Sequence, residues 1–249
     1  MKKVTVTKVS TERWRKAQAF EVEAIYSIMG AHDDWNRWWK DRFEGYKVLQ
    51  GKKFPKVLEV GCGPHTNLRL ILPHITAKEI YLEDPLIQSY LDFMPGVPPS
   101  SRLSRVLRRS APIVQPIFLQ SLFKDKSYRI HISSAPLEEL PYQQGLVDLT
   151  VCVNVLDHVF DLGRCMAQMD RVLKKGGILV LGQDLSNQED YKKAPDSWKD
   201  IGHPIKVNED DLEKYLKNYK PLYKKVLPRK AGRNPSAHYG TYLLIARKN

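Results

Sequence analysis

The stretch Val57-Leu58-Glu59-Val60-Gly61-Cys62-Gly63-Pro64 most limits what this chain can become. An apolar run stops at two glycines spaced by one residue, and a helix-compatible stretch, Asn67 to Leu72, follows. In an open α/β sheet this is where the first strand ends and the backbone turns sharply. Glycine is needed there because a side chain would block both the turn and the close approach of a nucleotide. A second apolar run, Ile80-Tyr81-Leu82, ends in Glu83 and Asp84, at about the twenty-residue offset where a carboxylate takes ribose hydroxyls. Of the two, Asp84 is the better placed, standing just before the strand-stopping Pro85. A dinucleotide site would want a third glycine where Thr66 stands.

A chain of 249 residues is one large domain, or one domain with a cap, and is long enough to bury a full core. Its net charge of +12 favours an anionic acceptor, a nucleic acid or an acidic membrane surface as readily as it favours plain solubility. The basic excess lies outside the presumed nucleotide-binding strand segments, 57–93 and 131–184: residues 94–130 hold seven basic side chains and one acidic, and residues 219–249 hold eight and none. Cys62, Cys152 and Cys165 show no metal-type spacing and fit a reducing cytoplasm. No apolar run approaches the ~20 residues of a membrane span, and no signal-like segment opens the chain.

Residues 1–10 read as a short strand or a loose arm, and Thr11 to Ile28 as an amphipathic helix. A second helix, capped by Asp33 or Asp34, carries Trp35, Trp38 and Trp39. These rings are either an aromatic lid over a cationic ligand or the glue between an N-terminal cap and the sheet; buried area favours glue. Residues 94–127 are rich in proline, arginine and apolar side chains and do not fit a short βαβ connection. Self-packing or a homodimer contact is favoured for them over contact with lipid or another anionic partner. Tyr128–Ile132, Val147–Val153, Ile178–Leu181, Leu222–Leu227 and Tyr239–Ala246 read as further strands, and Glu209–Tyr219 as a helix.

Three features converge: the acid-x-Gly-x-Gly at Glu59–Gly63, the Ser134-Ala135-Pro136-Leu137-Glu138-Glu139-Leu140-Pro141-Tyr142 loop, and Val147 to Val159 with its Asn154-Val155-Leu156-Asp157-His158 run. With Arg171-Val172-Leu173-Lys174-Lys175-Gly176-Gly177 before the fifth strand, they resemble the class I S-adenosylmethionine-dependent methyltransferases, specifically the ubiquinone- and menaquinone-biosynthesis type. The resemblance spans roughly residues 55–185. It implies an α/β, Rossmann-like, seven-stranded and mostly parallel sheet with helices on both faces and the last strand antiparallel. An N-terminal helical cap (1–50) would precede a methyltransferase domain (51–249) carrying the 94–127 insertion after strand 2. It also implies S-adenosyl-L-methionine as cofactor and S-adenosyl-L-homocysteine as product, held by Glu59, Gly61, Cys62, Gly63, Asp84, Pro85, Leu137, Glu138 and Asn154. Pro136 departs from the pattern, standing where many members have an Asp that reaches the adenine amine, which shifts that recognition to backbone amides and Glu138.

Methyl transfer is an in-line displacement, and a hydroxyl nucleophile gains from a base that titrates near neutrality. His158 after the fourth strand and His203 after the fifth are the candidates, with Asp184 placed to orient either; a loop histidine is otherwise ordinary polar surface. No metal-ligand spacing such as His-Glu-x-x-His occurs, so no metal is expected. The reading is methyl transfer to a small-molecule acceptor, anionic or lipidic, with O-methylation favoured. Transfer to RNA is the alternative, against which stands the lack of an Asn-Pro-Pro-Tyr or Pro-Cys motif. A cofactor-binding protein that kept the fold and lost the reaction is the other.

Overall fold

The computed structural model describes residues 6–28, 35–91, 127–187, 190 and 201–249. The expected insertion and its dimer contact, and the caps Asp33 and Asp34, lie outside the described residues, Ser127 excepted. Seven strands form one sheet in the order β3-β2-β1-β4-β5-β7-β6. They are β1 (Lys56–Val60), β2 (Glu79–Glu83), β3 (Arg129–Ser133), β4 (Val147–Val153), β5 (Leu173–Leu185), β6 (Tyr219–Pro228) and β7 (Gly240–Lys248). The first five pair in parallel, and β7 runs antiparallel to both β5 and β6. This is the expected architecture. It sends the chain outward from β1 in both directions, so the carboxyl ends of β1 and β4 diverge at the point where the strand order reverses.

Strand alternation splits the apolar residues between two cores, one on each face. Val57, Ile80, Leu82, Val151 and Val180 meet Trp39, Phe43, Tyr46, Leu68 and Ile71 on one side. These partners come from α2 (Trp35–Arg42), a 3-10 turn at Glu44–Leu49, and α3 (Leu68–Ile71). Leu58, Val60, Cys152, Leu179 and Leu181 meet Leu162, Met166 and Met169 of α5 (Leu162–Val172) and Leu212 of α6 (Glu209–Tyr215) on the other. A shorter helix, α4 (Ile87–Leu91), follows β2. Asp161 caps α5 and Asn208 caps α6, each accepting from a backbone N–H three residues on.

Helix α1 (Thr11–Ile28) forms over its expected span. It lies against the loop after β4: Trp14 Nε1 and Gln18 Nε2 both donate to the His158 carbonyl, at 3.0 and 3.2 Å. Of residues 6–10, only Val6 and Lys8 make isolated bridges, to Lys206 and Asp161, so this segment is an arm and not a sheet strand. Helix α2 ends at Arg42, earlier than the apolar spacing suggests, because Gly45 and Tyr46 take φ of 67° and 56° and break the spiral. No helix among the described residues is long and apolar enough to cross a membrane.

Candidate active site

A cavity of about 490 Å³ opens at the switch point, walled by the β1 turn, the ends of β2 and β4, α1, α2 and the loops before α6 and β7. The β1 turn is built by glycine geometry. Gly61 and Gly63 have φ of +60° and +54°, and a Cβ at Gly61 would overlap the Val155 side chain. Gly61 N and Cys62 N donate to the Glu83 carbonyl at 2.7 and 3.3 Å, and Gly63 N donates to Asp84 Oδ2 at 3.0 Å. Asp84 Oδ1 accepts from Leu86 N at 2.8 Å, so two backbone donors fix this carboxylate in the cavity wall. Burial nevertheless raises its pKa to about 6. Glu83 also lines the cavity; burial lifts it to about 7, and neither of its oxygens makes a hydrogen bond of ordinary geometry, although Ser133 and Tyr142 stand beside it.

Glu59 does not reach the cavity wall. Its buried carboxylate accepts from Thr66 Oγ1, from Asn67 N at 2.7 Å and from Asn67 Nδ2 and Leu68 N, bracing the turn from beneath. The expectation that it touches a cofactor is corrected: an inward-pointing acid on a central strand, buried on every side, has only the following loop to bond. Burial pushes its pKa to about 7 against the pull of those four donors. Cys62, Pro85, Leu137, Glu138 and Asn154 line the cavity as expected. Glu138, however, spends Oε1 on Phe160 N and Asp161 N at 2.6 and 2.9 Å, tying its turn to the β4 loop. Asn154 takes φ of 61° and accepts from Arg233 Nη2 at 3.1 Å.

The histidines converge at the other end of the cavity. The His158 and His203 rings lie 4.4 Å apart, and His238 is 6.5 Å from His203. His158 Nδ1 donates to the Gly202 carbonyl at 3.1 Å. Asp157, buried, stands 3.8 Å from Nε2 of both His158 and His203. Burial opposes charge on the Asp157 carboxyl, yet His158, His203 and His238 together hold it well below the usual carboxylate range. Burial likewise opposes charge on His158, and Asp157 with Glu21 outweighs it and raises that pKa. His238 pairs with Ser186 Oγ at 3.0 Å, and burial lowers its pKa.

Asp184 orients neither histidine. Its oxygens accept from Arg233 Nε at 2.9 Å and Thr241 Oγ1 at 2.8 Å, because antiparallel pairing sets Asp184 opposite Thr241. Asp157 holds the position expected for it. Sequence reasoning also passed over Glu21 and Arg233 as cavity residues. Trp39 answers the lid-or-glue alternative with both: it is core on one side and packs on Gly182, and it lines the cavity on the other with Arg233 over its ring.

A family model described as "Methyltransferase domain" matches residues 114–181. Two strains of Mycobacterium tuberculosis carry a probable S-adenosylmethionine-dependent methyltransferase that is 28% identical to this chain over 88 residues. That match spans 35% of this chain and 31% of the relative's length. Among solved structures, the Burkholderia thailandensis 1,6-didemethyltoxoflavin-N1-methyltransferase with bound S-adenosylhomocysteine superposes with a TM-score of 0.56 at 13% identity, over 99% of this chain and 94% of its own. The (4+2)-cyclase SpnF superposes at 0.60 and 16% identity, over 99% of both chains. These likenesses show the fold, which hosts more than one reaction. The sheet order and the glycine turn at the switch point are those of the Rossmann-like fold these methyltransferase structures share, and the methyltransferase family model matches within it, over residues 114–181.

Proposed function

We propose that the protein transfers a methyl group from S-adenosylmethionine to an oxygen of a small-molecule acceptor, leaving S-adenosylhomocysteine. One observation carries the reading: a single cavity links the strained glycine turn and the fixed Asp84 carboxylate to the histidine cluster. The residues fit the cofactor. Gly61 leaves no room for a side chain of its own, and Asp84, already anchored by two N–H groups, keeps lone pairs for ribose hydroxyls. Gly61, Cys62, Gly63, Asp84, Pro85, Leu137 and Asn154 would hold the cofactor directly. Glu59 and Glu138 serve by bracing the two loops that do.

When bound, the cofactor supplies a methyl group activated on a positive sulfonium. The chain's own part is then orientation, which can contribute ~7–11 kcal/mol when nucleophile and methyl are held in line. His158 and His203 would manage the proton of a hydroxyl acceptor, a role supported by Asp157 standing 3.8 Å from Nε2 of each. The cavity volume falls in the range of small-molecule sites and supports such an acceptor over a nucleic acid.

Tritiated methyl-donor labelling of a fractionated cell extract tests this. Label is expected in small hydroxylated molecules, insensitive to ribonuclease and to amine-blocking reagents. Label that partitions into RNA, or no transfer by protein that also fails to bind S-adenosylhomocysteine, would overturn it.

A further inference from the structure

We propose that Glu21, His158 and His203 form a binding site for a divalent transition-metal ion at the histidine end of the cavity. One ligand-type atom from each lies within 4.8 Å of the others. The three come from α1, from the loop after β4 and from the loop before Lys206, and all line the cavity. An ion seated there would therefore keep open positions toward the acceptor, as catalytic metal sites do.

The surroundings support the ligands in the way metal-bound histidines are supported. His158 Nδ1, 3.7 Å from Glu21 Oε1, donates to the Gly202 carbonyl at 3.1 Å, which fixes the ring and its tautomer and makes Nε2 the nitrogen that would ligate. Asp157, buried and approached by the Gln183 side chain, sets one oxygen 3.8 Å from Nε2 of each ring, so it adds negative charge on the side where the rings would ligate. Its carboxylate and that of Glu21 both lie beside the two imidazoles, and a cation seated among them would be balanced by that pair of acids. Gly202 favours this placement: a Cβ there would overlap the Glu21 carboxylate and push that side chain aside. Two imidazole nitrogens and one carboxylate suit Zn²⁺, Fe²⁺, Co²⁺ or Ni²⁺, whereas Mg²⁺ and Ca²⁺ prefer all-oxygen sites. The ion's role rests on the methyl-transfer reading: it would bind the acceptor oxygen and lower its pKa, the hydroxyl proton leaving to solvent. The site itself does not depend on that reading.

Co²⁺ alone is the probe, titrated into tag-free, chelator-stripped protein and followed by its visible d–d absorption. One Co²⁺ per chain is expected, undisturbed by excess Mg²⁺. His158→Ala and His203→Ala should each abolish the bands, and Asp157→Asn should weaken binding about ten- to hundredfold. Gly202→Ala, which removes no ligand, should weaken it measurably by displacing Glu21, and it keeps the test valid where a histidine variant fails to fold. Wild-type protein that binds no Co²⁺, or binding equal in wild type and in folded histidine variants, overturns the site. S-adenosylhomocysteine affinity is measured on the same samples. Retained S-adenosylhomocysteine binding without Co²⁺ binding counts against the metal site alone, and Co²⁺ binding without S-adenosylhomocysteine binding supports it while counting against the methyltransferase reading.

Discussion

The two acids at the end of β2 make the pH dependence of cofactor binding a sharp test of which one meets the ribose. In the cavity wall burial raises Asp84 to about 6 and Glu83 to about 7. Around Asp84, the Gly63 and Leu86 N–H groups and the charge on His158 pull downward, and Glu21 pushes upward. Ribose hydroxyls donate best to an ionised carboxylate, so binding selects the deprotonated form. The sign follows: affinity is complete above the free-state pKa and falls about tenfold per pH unit below it. With Asp84 as the acceptor, S-adenosylhomocysteine should bind about twofold more weakly at pH 6 than at pH 8, and about elevenfold more weakly at pH 5. Asp84→Asn should remove that dependence and weaken binding at pH 8 about ten- to hundredfold, the loss of charge-assisted hydrogen bonds. Calorimetric titration from pH 5 to 8, with circular dichroism to show that the chain stays folded, is the assay. A midpoint near 7 that disappears in Glu83→Gln would transfer the role to Glu83. A flat profile would refute the ribose role of both.

Two further substitutions probe the frame around the site. Gly61→Ala meets Val155 and places a Cβ at φ of +60°, which costs ~1–2 kcal/mol before any overlap is relieved; S-adenosylhomocysteine affinity should fall at least about tenfold in a protein with an unchanged circular dichroism spectrum. Asp184→Asn leaves the Arg233 guanidinium without its buried counter-charge and should destabilise the fold by roughly 3–5 kcal/mol in denaturant unfolding. A catalytic orienting role for Asp184 would instead lower turnover at unchanged stability.

The sheet was legible because its signals are local. Apolar runs at 57–60 and 80–82 end beside glycine and acid, the run at 147–153 ends at Asn154, and each became a strand at its expected place. The glycine turn was legible for the same reason, since two residues at φ near +60° demand glycine wherever the chain later travels. Where local signals misled, pairing decided. The Lys174-Lys175-Gly176-Gly177 stretch looks like a helix end before a strand starting at Ile178. Instead β5 begins at Leu173, directly after α5, and its register with β4 shifts between Leu173 and Ile178.

The histidine end was not legible as an arrangement, although two of its members were picked out singly. Its geometry arises only when α1 is laid across the loop after β4, held by Trp14 and Gln18 on the His158 carbonyl, and when a glycine lets the 202–203 loop come down on Glu21. No spacing rule joins positions 21, 158 and 203, so a search for metal motifs in the sequence finds nothing there. Asp184 and Asp157 show the same limit from the other side. Both follow apolar strand segments, and only Asp184 was expected to orient the histidines, but Asp184 sits within β5, where its neighbour is set by β7, and Thr241 and Arg233 take both its oxygens. Asp157 lies past the end of β4, outside the ladder, and its carboxylate faces the two rings that need it. A carboxylate inside a paired strand answers to the strand beside it; one just beyond the strand end is available to the site. The histidine side of this cavity is thus assembled from helix, strand-end and loop residues on a frame that the paired strands hold.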